Sequence, residues 1–246
     1  MAVEMTDPVE AVCFDLDDTL YDYERYARAG LAAAADHLAL LTGRRYHEEL
    51  RRIYFDEGVT DGTFDACIDR HELRGRHDLG PAVVDELTDA FHGATTTLEP
   101  YPETEAVLSR LGEELALGLI TDGRGGHAKL RRLGLADRFD EVLVTPTVGR
   151  SKSERAVFEH VLARLSTQPT AAVYVGDDPR SDFRVPNALS MTTVRVRRGR
   201  YAGLEPENDV AAPDHEVASL NELPGLVAER SPTDARRRHA GDDDAR

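Results

Sequence analysis

Five short apolar runs set the architecture: residues 11–15 (AVCFD), 115–121 (LALGLIT), 141–145, 171–176 (AAVYVG) and 192–196. Each has strand length and is too short for a helix. From residue 103 onward they alternate with stretches whose apolar residues keep helical spacing, at 103–110, 126–133, 153–165 and 182–189. Strands separated by helices are βαβ units, and βαβ units build a parallel sheet, so the fold class is α/β. Between the first two strands the pattern is different. Helical spacing runs over 23–41, 47–57, 63–72 and 81–92, with glycine punctuation and no strong strand, so residues 21–97 are expected to form an all-helical insert.

In open parallel sheets ligands sit outside the carboxyl ends of the strands. The polar residues there form an ordered set. The first strand ends in DLDDTL with Asp15, Asp17 and Thr19, and the second in Thr121 and Asp122. The third leads through TPTVGRSK to Lys152, and the fourth runs into GDDPRSD with Asp177, Asp178 and Asp182. Clustered acids repel one another and are costly at a buried strand end unless a cation sits among them. Residues 15 and 17 point the same way along an extended chain, so two carboxylates can flank one ligand. Taken singly, each residue also has an ordinary reading as a turn, an N-cap or a surface charge. Lysine makes Lys152 less ordinary, because of thirty basic residues only Lys129 and Lys152 are lysine.

The set resembles the haloacid dehalogenase-like (HAD) hydrolase superfamily, on its phosphatase branch with a helical cap of the first type. DLDDTL matches the first motif, Thr121-Asp122 the second, Lys152 the third and GDDPRSD the fourth. Ser153 stands where relatives often carry proline. The resemblance implies a three-layer Rossmann-like core over residues 1–20 and 98–224 with the first strand central, and a cap domain over 21–97. It also implies Mg²⁺ as cofactor and a small phosphorylated metabolite as substrate. Asp15 would be the nucleophile that forms an aspartyl-phosphate. Asp17 would be the acid and then the base. Thr121, Asp122 and Lys152 would meet the phosphate. Asp15, Asp177 and the backbone carbonyl of Asp17 would hold the metal. Asp182 would orient Lys152 from behind or contact metal-bound water, and Asp178 could share the metal duty. The cap would close over the phosphate and exclude water.

Three other readings keep parts of the pattern. A sugar-phosphate mutase uses the same four motifs. A 2-haloacid dehalogenase of the same superfamily needs neither the metal nor Asp17. A phospho-accepting signalling receiver also joins acids, threonine and lysine on a parallel sheet, but lacks an insert after the first strand. Tyr21 and Tyr23 read as packing of the insert or as the lining of a substrate entrance.

Composition bounds the rest. A net charge of −16 opposes nucleic acid. No run of eighteen apolar residues and no signal peptide are visible, and with only two cysteines no disulfide framework is expected, which favours the cytoplasm. Oligomeric state has no signature. Acid excess with scarce lysine fits a protein working in high salt, where screening removes surface repulsion, or else a GC-rich genome, which also replaces lysine by arginine; folding and activity unchanged from low to multimolar KCl would count against the salt reading. Residues 225–246 are charged, nearly free of apolar residues, and read as a disordered tail.

Overall fold

The computed structural model describes residues 8–94 and 98–228. The chain divides into two compact units, Met1–Asp22 with Glu99–Arg246 and Tyr23–Leu98.

The first unit is built on a six-stranded sheet of β1 (Ala11–Phe14), β2 (Ala116–Thr121), β3 (Glu141–Val144), β4 (Ala172–Gly176), β5 (Thr192–Val196) and β6 (His215–Val217). The strands lie in the order β3-β2-β1-β4-β5-β6 and every pairing is parallel. β1 is therefore central, with Cys13 registered to Gly118 on one side and Tyr174 on the other. All four β1 residues are buried, the signature of a strand covered on both faces. Cys13 joins Ile120, Val157, Phe158, Val161, Leu162 and Tyr174 in one core cluster beneath the helix Arg155–Arg164. There Phe158 meets the Tyr174 ring edge-on at 5.2 Å between centroids.

Two segments depart from expectation. β6 has no apolar run to announce it, since it reads His-Glu-Val and buries only Val217. The expected disordered tail starts at 225, yet Leu223–Ala228 is a helix with Leu223, Pro224 and Val227 buried; the remainder of the tail lies outside the described residues.

The second unit has no strand among its described residues; its α-helices are Tyr23–Thr42, His47–Arg51, Thr63–Arg70, Leu73–His77 and Val83–Gly93. The expected single helix over 47–57 changes pitch, becoming a π-helix over Arg52–Asp56. Its own core gathers Leu31, Ala34, Leu38, Leu50, Ile53, Leu87 and Phe91. Tyr26 packs edge-on against Phe91 and its hydroxyl meets His92 Nδ1 at 2.8 Å.

Candidate active site

The chain leaves β1 at Phe14 and runs straight into Asp15, whose amide donates to Val175 O of β4 at 2.8 Å. That bond extends the sheet by one residue and carries the carboxylate past the strand end. The chain then turns at Asp18, which sits in the left-handed region at φ 61° and is fully buried. Aspartate tolerates this conformation better than most residues. Arg200 Nε donates to Asp18 Oδ2 at 2.5 Å, and Gly199 lies so close that a Cβ there would fall 2.4 Å from the Asp18 side chain. The next residue, Thr19, donates its hydroxyl to Asp177 Oδ1 at 3.0 Å, so the turn after β1 is tied to the end of β4.

Lys152 arrives from the segment between β3 and the helix Arg155–Arg164. Only 4% exposed, its ammonium donates to Asp15 Oδ1 at 2.8 Å and Asp182 Oδ1 at 2.5 Å. A buried ammonium is tolerable only when paired, and here it has two partners. Burial alone would lower the Lys152 pKa; attraction to Asp15 and Asp182 outweighs it and holds the group well above its usual value. Asp182 is fully engaged in turn, since its Oδ2 accepts from the amides of Asp177 at 3.1 Å and Asp178 at 2.9 Å. Its position therefore orients Lys152 and the end of β4.

Carboxylate oxygens of Asp15, Asp177 and Asp182 lie within 4.8 Å of one another, all three residues buried. Because both oxygens of Asp182 already have donors, the pair able to hold a cation is Asp15 and Asp177. No side chain among the described residues bonds the second oxygen of Asp15. Asp177 Oδ2 is buried with no hydrogen-bond partner, a costly state for a carboxylate oxygen in a site without a cation. Burial raises the Asp15 pKa to about 7, against the pull of Lys152 and helped by Asp182 and Asp17. Burial pushes Asp177 well up as well, with Asp182, Asp15 and Asp18 adding to it. A hard divalent cation with oxygen ligands reverses such shifts, and the donor set suits Mg²⁺. Asp178 stands differently: Oδ1 accepts from Arg180 N and Nε at 3.0 and 2.9 Å, and Oδ2 from Nη2 at 2.9 Å.

Thr121 ends β2, buried, and accepts the Gly123 amide at 3.0 Å. Its hydroxyl proton has no acceptor among the described residues and is available to a ligand. The Asp122 carboxylate is taken up internally: it accepts from the Thr145 hydroxyl, the Lys152 amide at 2.9 Å and the Ser151 hydroxyl at 3.3 Å. It fastens the segment that delivers Lys152 to the end of β2.

Asp17 brings in a residue that sequence reasoning noted only in passing. Lys129, on the helix Gly126–Arg132, donates to Asp17 Oδ1 at 2.7 Å and Oδ2 at 2.8 Å and is 3% exposed. Tyr21 donates its hydroxyl to Asp17 Oδ1 at 2.6 Å, so it belongs to the site's acid and not simply to packing of the insert. Arg195, fully buried on β5, was also missed; it donates to Asp177 O at 3.2 Å and steadies that turn from behind. The available signal was scarcity: the chain has only two lysines, and both are buried, Lys152 on Asp15 and Lys129 on Asp17.

A family model described as haloacid dehalogenase-like hydrolase matches residues 9–185, and a second, HAD-hydrolase-like, matches 149–223. Glyceraldehyde 3-phosphate phosphatase of Methanopyrus kandleri is 34% identical over 232 residues, spanning 90% of this chain and 98% of that one. Ribulose-1,5-bisphosphate 5-phosphatase of Halopiger xanaduensis is 30% identical over 236 residues, spanning 89% and 99%. Among solved structures, 2-haloacid dehalogenase of Pseudomonas syringae pv. tomato superposes with a TM-score of 0.67 at 28% identity, covering 90% of this chain and 99% of that one. No helix among the described residues is long and apolar enough to cross a membrane. The matched span contains all four strand-end motifs, and the chain belongs to the haloacid dehalogenase-like hydrolase family.

Proposed function

We propose that the chain is a phosphatase that hydrolyses a small phosphomonoester through an aspartyl-phosphate on Asp15, with Mg²⁺ as cofactor. The observation that carries this reading is the orphaned, buried Asp177 Oδ2 beside Asp15, which a cation between the two carboxylates would satisfy. Mg²⁺ would be held by Asp15, Asp177 and the backbone carbonyl of Asp17, and when bound it neutralises phosphoryl oxygens so that an anionic nucleophile can approach.

The protein's own groups then divide the work. Lys152 fixes Asp15 through Oδ1 and leaves its other oxygen to attack phosphorus. As the new Asp15–phosphorus bond forms, the ester P–O bond breaks and Asp17, protonated in the substrate complex, gives its proton to the departing alkoxide and is left as the carboxylate that pairs with Lys129. Thr121 donates its hydroxyl to a phosphoryl oxygen, a contact whose charge complementarity grows as negative charge develops. In the second half, Asp17 takes a proton from the water that attacks phosphorus. The bond to Asp15 breaks, inorganic phosphate leaves and both carboxyl groups return to their starting states.

Asp17 favours this reading over a dehalogenase, which has no alcohol to protonate. The two relatives above are named for short sugar phosphates, which makes that the substrate class to test first. Phosphate release should be screened across sugar phosphates, phosphoserine, phosphoglycolate and nucleotides, with Mg²⁺, in low and multimolar KCl, against Asp15→Asn. Turnover confined to wild type supports the reading. Halide release from 2-haloacids without Mg²⁺, or isomerised sugar phosphate without free phosphate, contradicts it.

A further inference from the structure

We propose that Lys129 is the positioning residue for the Asp17 carboxylate, holding it at the angle from which it meets the leaving-group oxygen. The inference rests on the phosphatase reading above and goes beyond it in giving the second acid its own support.

Asp17 is less enclosed than Asp15 or Asp182, with its side chain 17% exposed against 7% and 0%. An aspartate in such a position can turn among staggered rotamers. Three donated hydrogen bonds remove that freedom: two from the Lys129 ammonium, one to each oxygen, and one from the Tyr21 hydroxyl. The Lys129 ammonium also lies 6.0 Å from the centroid of the Tyr21 ring, so clamp and backstop support each other. Burying an ammonium costs several kcal/mol unless it is paired, so the placement needs a partner, and Asp17 supplies both oxygens. Residue type follows from space. A Cβ at Gly123 would lie 2.6 Å from Asp17 Oδ2 and 3.2 Å from Lys129 Nζ, so the backbone of the β2 loop closes the other side of the pair. A compact ammonium on an unbranched stem fits there, whereas a guanidinium fork has more to place. In a chain whose other Lys and Arg positions are all arginine, lysine appears only at the supports of Asp15 and Asp17.

The consequence is specific to the step Asp17 serves. Alkyl phosphates release a poor leaving group that needs a proton, whereas p-nitrophenolate departs without one. Because kcat/KM reports the steps through cleavage of the ester bond, a mispositioned Asp17 should lower it for the first kind of substrate and spare the second. Misplacing a catalytic group by about 1 Å can cost about 100-fold.

Lys129→Met and Lys129→Gln should be assayed with Mg²⁺ on glyceraldehyde 3-phosphate and p-nitrophenyl phosphate, with wild type and Asp15→Asn alongside and folding followed by circular dichroism. The expected result for Lys129→Met is a fall of about 100-fold in kcat/KM for glyceraldehyde 3-phosphate against less than about 5-fold for p-nitrophenyl phosphate, with Lys129→Gln between it and wild type. Tyr21→Phe should give the same signature at smaller size. Equal losses on both substrates, no loss on either, or failure of both lysine variants to fold would overturn the positioning role while leaving the phosphatase reading in place. Wild type that releases no more phosphate than Asp15→Asn overturns that reading itself, and this inference with it.

Discussion

Lys152 and Lys129 in the sheet unit, and Arg70 and Arg52 in the helical unit, make equally short ion pairs in opposite surroundings. Lys152 reaches Asp182 at 2.5 Å with both partners buried. Arg70 reaches Glu57 at 2.5 Å with the side chains 39% and 31% exposed, and Arg52 reaches Glu49 at 2.8 Å in the same exposed chain of charges. In the first case the charges are removed from water, the geometry is fixed from several elements, and a missing partner leaves an uncompensated buried ion. In the second, water and salt screen each charge, and the pair holds two long side chains that lose freedom for little return. Distance alone therefore says little about what an ion pair does. On the proposed phosphatase reading, the two lysine pairs of the sheet unit aim reacting groups, whereas the arginine pairs of the helical unit lie at its surface.

That contrast can be broken from the side of the site. Asp15→Asn should lower phosphate release at least about 10³-fold, as loss of a covalent nucleophile does, with the fold intact by circular dichroism. Retained turnover would remove the sheet unit's charges from the chemistry. Lys152→Met leaves Asp15 and Asp182 buried without their cation and should cost about 3–5 kcal/mol in urea unfolding. A loss below about 1 kcal/mol would place this pair with the exposed ones.

The Asp15 carboxyl holds its proton up to about pH 7 in the folded chain, whereas an unfolded aspartate releases it near pH 4. Between those values the folded state binds a proton the unfolded state lacks, so without divalent cations stability should fall as pH rises through that window. Mg²⁺ bound in place of the proton should then raise Tm more at pH 7.5 than at pH 5. An equal increment at both would contradict the cation site. Arg70→Ala in the helical unit should change Tm little at any KCl concentration, and a shift as large as that of Lys152→Met would erase the distinction. Burial pushes the Cys13 and Cys67 thiols to about 12, one in each unit, so neither should react rapidly with a disulfide reagent at pH 8 until the chain unfolds.

Much of the sheet unit was legible because its strands are apolar on both faces and its site residues sit where those strands stop. Asp15, Thr121 and Asp177 could be placed from the sequence for that reason. β6 could not, because a three-residue edge strand reading His-Glu-Val carries no apolar run. The roles of Asp122, Asp178 and Asp182 were beyond periodicity too. Three carboxylates near strand ends look alike in sequence, and only their donors separate them: Thr145, Ser151 and an amide for Asp122, Arg180 for Asp178, and Lys152 with two amides for Asp182. Lys129 was obscured by its helix, where a lysine beside Arg131 and Arg132 reads as a solvated face. Its burial arises from a contact with Asp17, 112 residues away, that no local pattern encodes. In the helical unit amphipathic spacing gave the main helices, but not the π-helical turn over Arg52–Asp56 or the short helix Leu73–His77, both shorter than the window in which periodicity can be read.

The proposed mechanism stands or falls on transfer of the phosphoryl group to Asp15. Asp17→Asn should slow release from the aspartyl-phosphate while p-nitrophenyl phosphate still loads it, because its leaving group needs no proton. Acid quench followed by borohydride reduction converts an aspartyl-phosphate to homoserine, which peptide mass spectrometry locates. Homoserine should appear at position 15 and at no other acid; its appearance at another aspartate, or at none while phosphate is being released, would rule out Asp15 as the nucleophile.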